Sequence, residues 1–275
     1  MRKPELLSPA GTYKSMQYAF AYGADAVYAG QPRYSLRVRN NDFSRIERLA
    51  EGVDYAHRLG KQFFIASNVS PHNDKLKSYL RDMEPVIAMK PDALIMADPG
   101  LIMMVRERWP EMPVHLSVQA NAVNWATVKF WKNMGLTRII LSRELSLEEV
   151  AEIRQECPDI ELEVFVHGAL CIAYSGRCLL SGYITHRDSN QGACTNTCRW
   201  KYQAHEAVQT ESGDVVAIHE PVPLQAPEPE PAPVQDRIYL LQEEGRPGEY
   251  MPAYEDEHGT YIMNSKDLRA IEHVR

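Results

Sequence analysis

The stretch that decides the fold runs from Gln62 to Ala97 and reads QFFIASNVSPHNDKLKSYLRDMEPVIAMKPDALIMA. It begins and ends with short apolar runs, Gln62–Asn68 and Ala93–Ala97. Continuous apolar runs of this length predict strands that are covered on both faces, as in parallel sheets. The segment between them, Lys75–Met89, has the apolar spacing of an amphipathic helix. The stretch therefore predicts a strand, a crossover helix and a second, parallel strand.

The same unit repeats from the amino terminus to Val166. The strand candidates are Glu5–Ser8, Ala26–Ala29, Gln62–Asn68, Ala93–Ala97, Val114–Gln119, Arg138–Ser142 and Leu162–Val166. The helix candidates are Tyr13–Tyr22, Phe43–Leu59, Lys75–Met89, Leu101–Arg108, Trp125–Asn133 and Leu147–Gln155, the last preceded by a Ser146–Glu149 capping box. Strands that alternate with helices predict a parallel sheet with right-handed crossovers. Because no GxGxxG or Walker loop follows a strand, we favour an α/β fold of the (β/α)8 TIM-like barrel type over a doubly wound sheet.

The sequence supplies seven of the eight strands that such a barrel needs. We therefore expect a truncated chain that lacks the eighth strand, with barrel units one to seven in residues 1–200 and a Cys-rich insertion at 171–198 after strand seven. Residues 201–236 are polar and Pro-rich, which predicts a linker. Residues 237–275 are expected to form a strand and turn segment and the start of the last barrel helix, at Ser265–Val274, with a C-terminal β-domain absent.

Composition and charge restrict the class of protein. Contents of 44% apolar and 24% charged residues are typical of a soluble globular protein. No signal peptide is evident, and no apolar run approaches the roughly 20 residues that span a bilayer. We therefore expect a cytoplasmic protein with no membrane partner. The net charge of −7 argues against indiscriminate binding of nucleic acid, although two local segments, Arg33–Arg48 and Arg177–Lys201, are basic.

Four of the five cysteines lie in one stretch, Glu163–Cys198. They are separated by 6, 15 and 3 residues and are Cys171, Cys178, Cys194 and Cys198. In a reducing compartment, clustered thiols are more often metal ligands or catalytic groups than disulfides. Only the last pair resembles a zinc knuckle, and iron–sulfur clusters tolerate irregular spacings, so both metals remain open from spacing alone. The fifth cysteine, Cys157, is predicted to be a packing residue.

Polar side chains that follow the strands mark the candidate reactive face, because barrel sites lie at the carboxyl ends of strands. The candidate catalytic residues are His167, Arg143, Glu144 and Gln119. The pair Arg143 and Glu144 could bind a small anion or form a salt bridge at the barrel rim, and His167 could assist a thiol or be structural.

The candidate substrate-binding residues follow the second, third and fifth strands. They are Arg33, Tyr34, Arg37, Arg39, Asn68 and Asn121. Arginines with an interleaved tyrosine suit phosphate contacts and base stacking, whereas the asparagines suit hydrogen bonds to a substrate or to loop backbone. A mouth that faces nucleic acid, on an acidic protein, is the resulting hypothesis.

The cysteine-rich stretch resembles a family signature. Residues 163–181 read Glu163-x-Phe165-x-x-Gly168-Ala169-Leu170-Cys171-x4-Gly176-x-Cys178-x-Leu180-Ser181, and they match without a gap the signature of the collagenase-like peptidases of unknown catalytic type. The segments ELLSPAG (5–11), SVQAN (117–121) and LSREL (141–145) resemble the same family in order. Residues 249–274 are similar to its bacterial tRNA-modifying branch. The resemblance covers nearly the whole chain.

The resemblance implies a barrel and a 4Fe–4S cluster on Cys171, Cys178, Cys194 and Cys198. It also implies the anticodon region of tRNA as partner, prephenate as anionic co-substrate, and 5-hydroxylation of the wobble uridine as activity. Two alternatives stay open. One is proteolysis by a collagenase-like peptidase, although the sequence contains neither HExxH nor GxSxG. The other is a zinc-stabilised tRNA-binding subunit.

Overall fold

The computed structural model describes residues 3–36, 41–169, 173–209, 215–217, 237–243, 247–248, 250–256, 259–260 and 267–269. The chain divides into two compact units, one of residues 1–195 with 266–275 and one of residues 196–265. Across these described ranges, no helix has the length and apolarity that crossing a membrane requires.

The larger unit is built on a parallel sheet whose strands follow one another in chain order. The strands are β1 Leu7–Pro9, β2 Ala26–Gly30, β3 Gln62–Ser67, β4 Ala93–Met96, β5 Val114–Leu116, β6 Arg138–Ile140 and β7 Glu161–Glu163. Each strand pairs in parallel with the next, so that the sheet order is β1 to β7. A doubly wound sheet would reverse its strand order, and this one does not. The seven predicted strands are therefore confirmed, as a curled half-barrel.

Helices connect successive strands and cover one face of the sheet. They are α1 Tyr13–Ala21, α2 Ile46–Arg58, α3 Asn73–Ala88, α4 Pro99–Arg108, α5 Trp125–Asn133 and α6 Leu147–Glu156. The predicted helices are confirmed to within a few residues at each end. The capping box at the start of α6 is also confirmed, because Ser146 and Glu149 exchange side-chain to backbone hydrogen bonds.

Side chains alternate between two apolar layers. In β4, Leu94 and Met96 belong to the core between the sheet and the helices. Ala93 and Ile95 point to the opposite face, where they join a smaller cluster inside the half-barrel. This alternation explains the continuous apolar runs of the sequence, since both faces of the strands are covered.

The chain leaves the parallel sheet after β7. The next strand, β8 His167–Ala169, pairs antiparallel with β14 Asp267–Arg269 in a separate two-stranded sheet. The predicted helix at Ser265–Val274 is therefore wrong at residues 267–269. Its helical pattern is local, whereas β14 is held by a partner about 100 residues away, and such pairing overrides local propensity.

The smaller unit is an antiparallel sheet of order β10-β9-β11-β12-β13. Its strands are β9 Tyr202–Gln209, β10 Val215–Ala217, β11 Arg237–Glu243, β12 Tyr250–Asp256 and β13 Gly259–Thr260. The structure corrects the linker predicted at 201–236, because β9 and β10 lie within it. The sequence of β9 is polar, and its conformation is fixed by pairing with β10 and β11 on either side. The remainder of the predicted linker, with its prolines, lies outside the described residues.

Candidate functional site

Residues 173–195, which we call the thiol segment, lie against loops at the carboxyl ends of the parallel strands. The backbone carbonyl of Asn190 accepts a 3.0 Å hydrogen bond from the amide of Ser70, which follows β3. A Cβ on Gly192 would lie 2.8 Å from the carbonyl oxygen of Ser35, which follows β2. Gln191 bridges the same region, because it donates to the Ser70 carbonyl and accepts a 2.9 Å hydrogen bond from Lys75.

The thiol segment also contacts a third loop, the one that follows β5. Gly176 has a φ of +76°, and a Cβ there would overlap the carbonyl oxygen of Gln119. Both the left-handed backbone and the close approach require glycine at this position. The thiol segment therefore meets the loops that follow β2, β3 and β5, at the edge where barrel active sites lie.

Hydrogen bonds within the thiol segment fix its course. Its elements are the short helix α7 Leu180–Thr185 and a 3₁₀ turn at Ser189–Gln191. The carbonyl of Cys178 accepts hydrogen bonds from Ser189 Oγ at 2.8 Å and from Asn190 Nδ2 at 3.1 Å. The buried hydroxyl of Ser181 lies 2.7 Å from that of Thr195. Cys178 and Cys194 are thereby held at the carboxyl edge of the sheet.

The thiols differ in exposure. Cys178 is half-buried and Cys194 is exposed, whereas Cys198 is half-buried in the smaller unit and Cys171 lies outside the described residues. No described cysteine forms a disulfide with another described residue. Cys157 is buried at the end of α6, which confirms that it is a packing residue.

The described residues contribute thiols to a candidate metal site. In the part of the chain that the structure describes, no three His, Cys, Asp or Glu side chains gather as metal ligands. The described residues supply soft thiolate donors, the type that iron–sulfur clusters and zinc use, but not a complete ligand set. The identity of the metal stays a prediction.

Two of the predicted polar residues connect loops at the carboxyl edge. Asn68 accepts a 3.2 Å hydrogen bond from the amide of Leu36 and donates one of 3.1 Å to Ser117 Oγ. The amide of Gln119 donates to the same Ser117 hydroxyl at 3.3 Å. Ser117 is buried at the centre of this network and was not among the predicted site residues. A serine directly after an apolar strand was the available signal.

A second group forms at the carboxyl ends of β5 and β6. Asn121 Nδ2 donates a 2.9 Å hydrogen bond to the buried Ser142 hydroxyl. The next residue, Arg143, places its guanidinium 4.1 Å from the centre of the Phe165 ring, a cation–π arrangement. Glu144 is exposed beside it. His167 lies on β8 and is exposed.

The predicted arginine and tyrosine mouth is only partly described. Tyr34 is fully buried, and its hydroxyl lies 2.9 Å from both Ser78 and Asp82. Its ring packs edge-on against Tyr79, with centroids 4.8 Å apart, so it is not exposed to stack on a base. Arg33 forms a 2.8 Å ion pair with Asp82. Tyr34 is thus corrected to a core residue, whereas Arg37 and Arg39 lie outside the described residues.

The inside of the half-barrel holds a charged group that the sequence analysis did not single out. Arg138, whose side chain is only 10% exposed, pairs with Glu5 at 2.7 Å, Glu161 at 2.7 Å and Glu163 at 3.6 Å. Burial raises the pKa of Glu163 to about 7, and Arg138 only partly opposes this. Burial, with the Arg138 charge, lowers the pKa of His115 to about 3. Charged residues at alternating positions of β7, Glu161 and Glu163, were the available signal.

One family profile and two similar proteins each match nearly the whole chain. The profile of Peptidase family U32 matches residues 11–275. The tRNA hydroxylation protein P of Escherichia coli strain K12 is 68% identical, with 100% of this chain and 61% of that protein covered. The tRNA hydroxylation protein P of Haemophilus influenzae is 64% identical, with coverages of 99% and 60%. The chain therefore spans about three fifths of the length of these two relatives.

A solved structure of a U32 peptidase superposes with a TM-score of 0.48 and 16% identity. The superposition covers 61% of this chain and 71% of that one.

Proposed function

This chain belongs to peptidase family U32, and on that premise we propose that it supplies the barrel of a tRNA-hydroxylating enzyme. The modification would be 5-hydroxylation of the wobble uridine. One observation carries the proposal beyond the names of its relatives. The thiol segment lies across the loops after β2, β3 and β5, where the barrel fold locates active sites.

The cofactor of this proposal is a 4Fe–4S cluster on Cys171, Cys178, Cys194 and Cys198. Thiolates are the usual ligands of such clusters, and a bound cluster supplies electron transfer. The irregular spacing of these cysteines suits a cluster better than two tight zinc knuckles. Ser189 and Asn190 donate hydrogen bonds to the Cys178 carbonyl, which would hold the thiol of this residue in position for the cluster.

The co-substrate of this proposal is prephenate, a small molecule with two carboxylates. Arg143 is the described cation that best suits it, because its guanidinium lies at the carboxyl end of β6 and is oriented by the Phe165 ring. A guanidinium can bind a carboxylate through two parallel hydrogen bonds. Gln119 lies at the neighbouring strand end, beneath the thiol segment, and offers a neutral side-chain amide.

The activity is tested by nucleoside analysis of tRNA. The 275-residue chain is expressed in a bacterium that lacks its own tRNA hydroxylation genes, and digested tRNA is analysed by mass spectrometry. We expect 5-hydroxyuridine or a nucleoside derived from it, at a level above the empty-vector control. A folded chain that yields none would contradict the activity. Cleavage of gelatin by the metal-free protein would favour the peptidase alternative instead.

The cofactor is tested separately on protein purified without oxygen. We expect about four iron and four sulfide per chain, with broad visible absorbance. Stoichiometric zinc without iron would contradict the cluster and favour the zinc-stabilised subunit.

A further inference from the structure

The thiol segment presents an aromatic and basic surface to solvent. Its large side chains Tyr174, Leu179 and Tyr183 are 60%, 77% and 68% exposed. Single exposed apolar side chains are ordinary, but these three lie within ten residues of one another. Arg177 and Arg187 are exposed in the same stretch. We propose that these five residues, the tyrosine–arginine surface, bind the unpaired bases and phosphates of a tRNA loop.

The geometry of α7 explains why the apolar side chains face outward. Ser181 and Thr185 lie on one side of the helix, and both hydroxyls contact that of Thr195, at 2.7 and 3.3 Å. Leu179 and Tyr183 are one turn apart, joined by a 2.9 Å backbone hydrogen bond. Residues two positions apart point to nearly opposite sides of a helix. Because Ser181 and Thr185 hold their side of α7 against Thr195, Leu179 and Tyr183 on the opposite side face solvent.

The charge of this stretch complements RNA. The thiol segment, residues 173–195, contains Arg177, His186 and Arg187 against one acidic residue, Asp188, in a chain whose net charge is −7. RNA loops are recognised by stacking of unpaired bases on aromatic rings and by contacts of arginine with phosphates. Tyr174 and Arg177 are both exposed and lie in one turn. Together they offer a ring for base stacking and a guanidinium for a phosphate. This combination favours RNA over a protein partner.

The same reasoning disfavours the loop after β2. The Tyr34 ring is buried there and cannot stack on a base, and the Arg33 guanidinium is already paired with Asp82. On the thiol segment, by contrast, Cys178 lies between Arg177 and Leu179 in sequence. A base held on this surface would therefore lie beside the thiols. The inference rests on the proposed function and names the surface that would hold its RNA.

The inference is tested by tRNA affinity. The probe is an unmodified transcript of a tRNA with a wobble uridine, and dissociation constants are measured with the 275-residue chain. We expect the double variant Tyr174→Ala, Tyr183→Ala to bind at least tenfold more weakly, because each stacked base contributes about that much. The control is Tyr18→Ala, Tyr22→Ala. These tyrosines stack on α1 and are 55% and 83% exposed, but they lie away from the thiol segment in sequence, so affinity should stay within twofold.

Two further measurements separate stacking from loss of fold, and a third tests the two arginines. The variant Tyr174→Phe, Tyr183→Phe keeps both rings and should bind like the wild type. A tRNA whose anticodon loop is replaced by a paired stem should bind wild type and the double alanine variant equally. Arg177→Gln and Arg187→Gln should each flatten the slope of log affinity against log salt by about 0.7.

The outcomes distinguish this inference from the proposed function. If the wild-type chain binds the tRNA and the double alanine variant binds equally well, the tyrosine–arginine surface is wrong and the proposed function stands. An equal loss in the α1 control variant would also overturn the surface. If the wild-type chain binds no tRNA, both the proposed function and this inference are overturned.

Discussion

The interior of the half-barrel and the thiol segment use polar residues in opposite ways. Inside, the buried Arg138 pairs with three carboxylates, of which Glu163 is mostly buried, Glu5 has a side chain that is 31% exposed and Glu161 is exposed. The thiol segment instead uses its polar groups to fasten its backbone to neighbouring loops, and it leaves Cys194, Tyr174 and Tyr183 exposed. On the proposed function, the interior charges would stabilise the scaffold, whereas the segment at the carboxyl edge would position groups for chemistry. Substitutions in the two regions should therefore separate stability from activity.

The largest effect on stability is expected for Arg138→Met. Removing this side chain leaves Glu5, Glu161 and Glu163 without their cation. Glu163 is the mostly buried partner, and breaking a buried pair of charges costs about 3–5 kcal/mol of unfolding free energy. The matched control is Arg143→Met at the carboxyl edge, which loses a cation–π contact of about 1 kcal/mol with the Phe165 ring. Urea unfolding of both variants checks this order. Equal losses would remove the distinction between the two regions.

The next effect is a pH dependence of stability within the interior, where the Arg138 charge acts on both Glu163 and His115, and Glu5 and Glu161 act on Glu163. The pKa of Glu163 rises from 4.5 to about 7 on folding, so its contribution to stability falls as pH rises across that interval. The pKa of His115 falls from 6.5 to about 3, so its contribution grows as pH rises through that range. Between pH 4.5 and 6.5 the two contributions have opposite slopes and cancel.

Single substitutions should expose each slope. In His115→Phe, stability should fall as pH rises from 4.5 to 7, by at most about 3 kcal/mol. In Glu163→Gln, it should rise instead with pH up to 6.5. Urea unfolding at several pH values measures both, with the wild type as reference. If both variants followed the pH profile of the wild type, the interior would not carry these two shifted groups.

A smaller effect is expected where the thiol segment touches the sheet. Gly176→Ala introduces a Cβ that overlaps the Gln119 carbonyl, whereas Gly23→Ala meets nothing within 4 Å. Both positions have positive φ, +76° and +98°, so both variants carry similar backbone strain. We expect Gly176→Ala to lose about 1–3 kcal/mol more unfolding free energy than Gly23→Ala, and to lose bound iron as well. Iron retained at the wild-type level would show that this contact does not position the thiols.

The smallest effect is expected for Gln191→Ala. This change removes hydrogen bonds to Lys75 and to the Ser70 carbonyl, together about 1 kcal/mol. The loss should be local, and faster amide hydrogen exchange at residues 189–192 would report it. Gln17→Ala on the exposed side of α1 is the control and should leave exchange there unchanged. Unchanged exchange in Gln191→Ala itself would mean that other contacts hold this turn.

The parallel sheet could be predicted because its signals are local. The apolar runs of β3 and β4 and the capping box of α6 each depend on a few neighbouring residues. The strands β9 and β14 could not, because partners far along the chain hold polar or helix-like sequences in extended form. The local pattern of apolar residues predicts which side chains are buried, but it does not predict which distant strand pairs with them.

The candidate site could be predicted in outline only. The thiols were placed at the carboxyl edge because their stretch follows the seventh strand, and Cys178 and Cys194 lie there. The prediction for Tyr34 was wrong. Its basic neighbours indicated an exposed loop, whereas the ring is buried against Tyr79 of α3. The Arg138 group was missed because its members come from strands that meet only in the folded sheet.

The central claim is that thiols at the carboxyl edge serve tRNA hydroxylation. The most direct measurement compares Cys178→Ala with Cys157→Ala in the strain that lacks its own tRNA hydroxylation genes, with 5-hydroxyuridine and protein-bound iron as the two readouts. Cys157 is buried at the end of α6, where its thiol contacts the Trp125 carbonyl, and it lies outside the thiol segment. We expect Cys178→Ala to lose both the modified nucleoside and the iron, and Cys157→Ala to keep both. Wild-type levels of 5-hydroxyuridine in Cys178→Ala would contradict the claim.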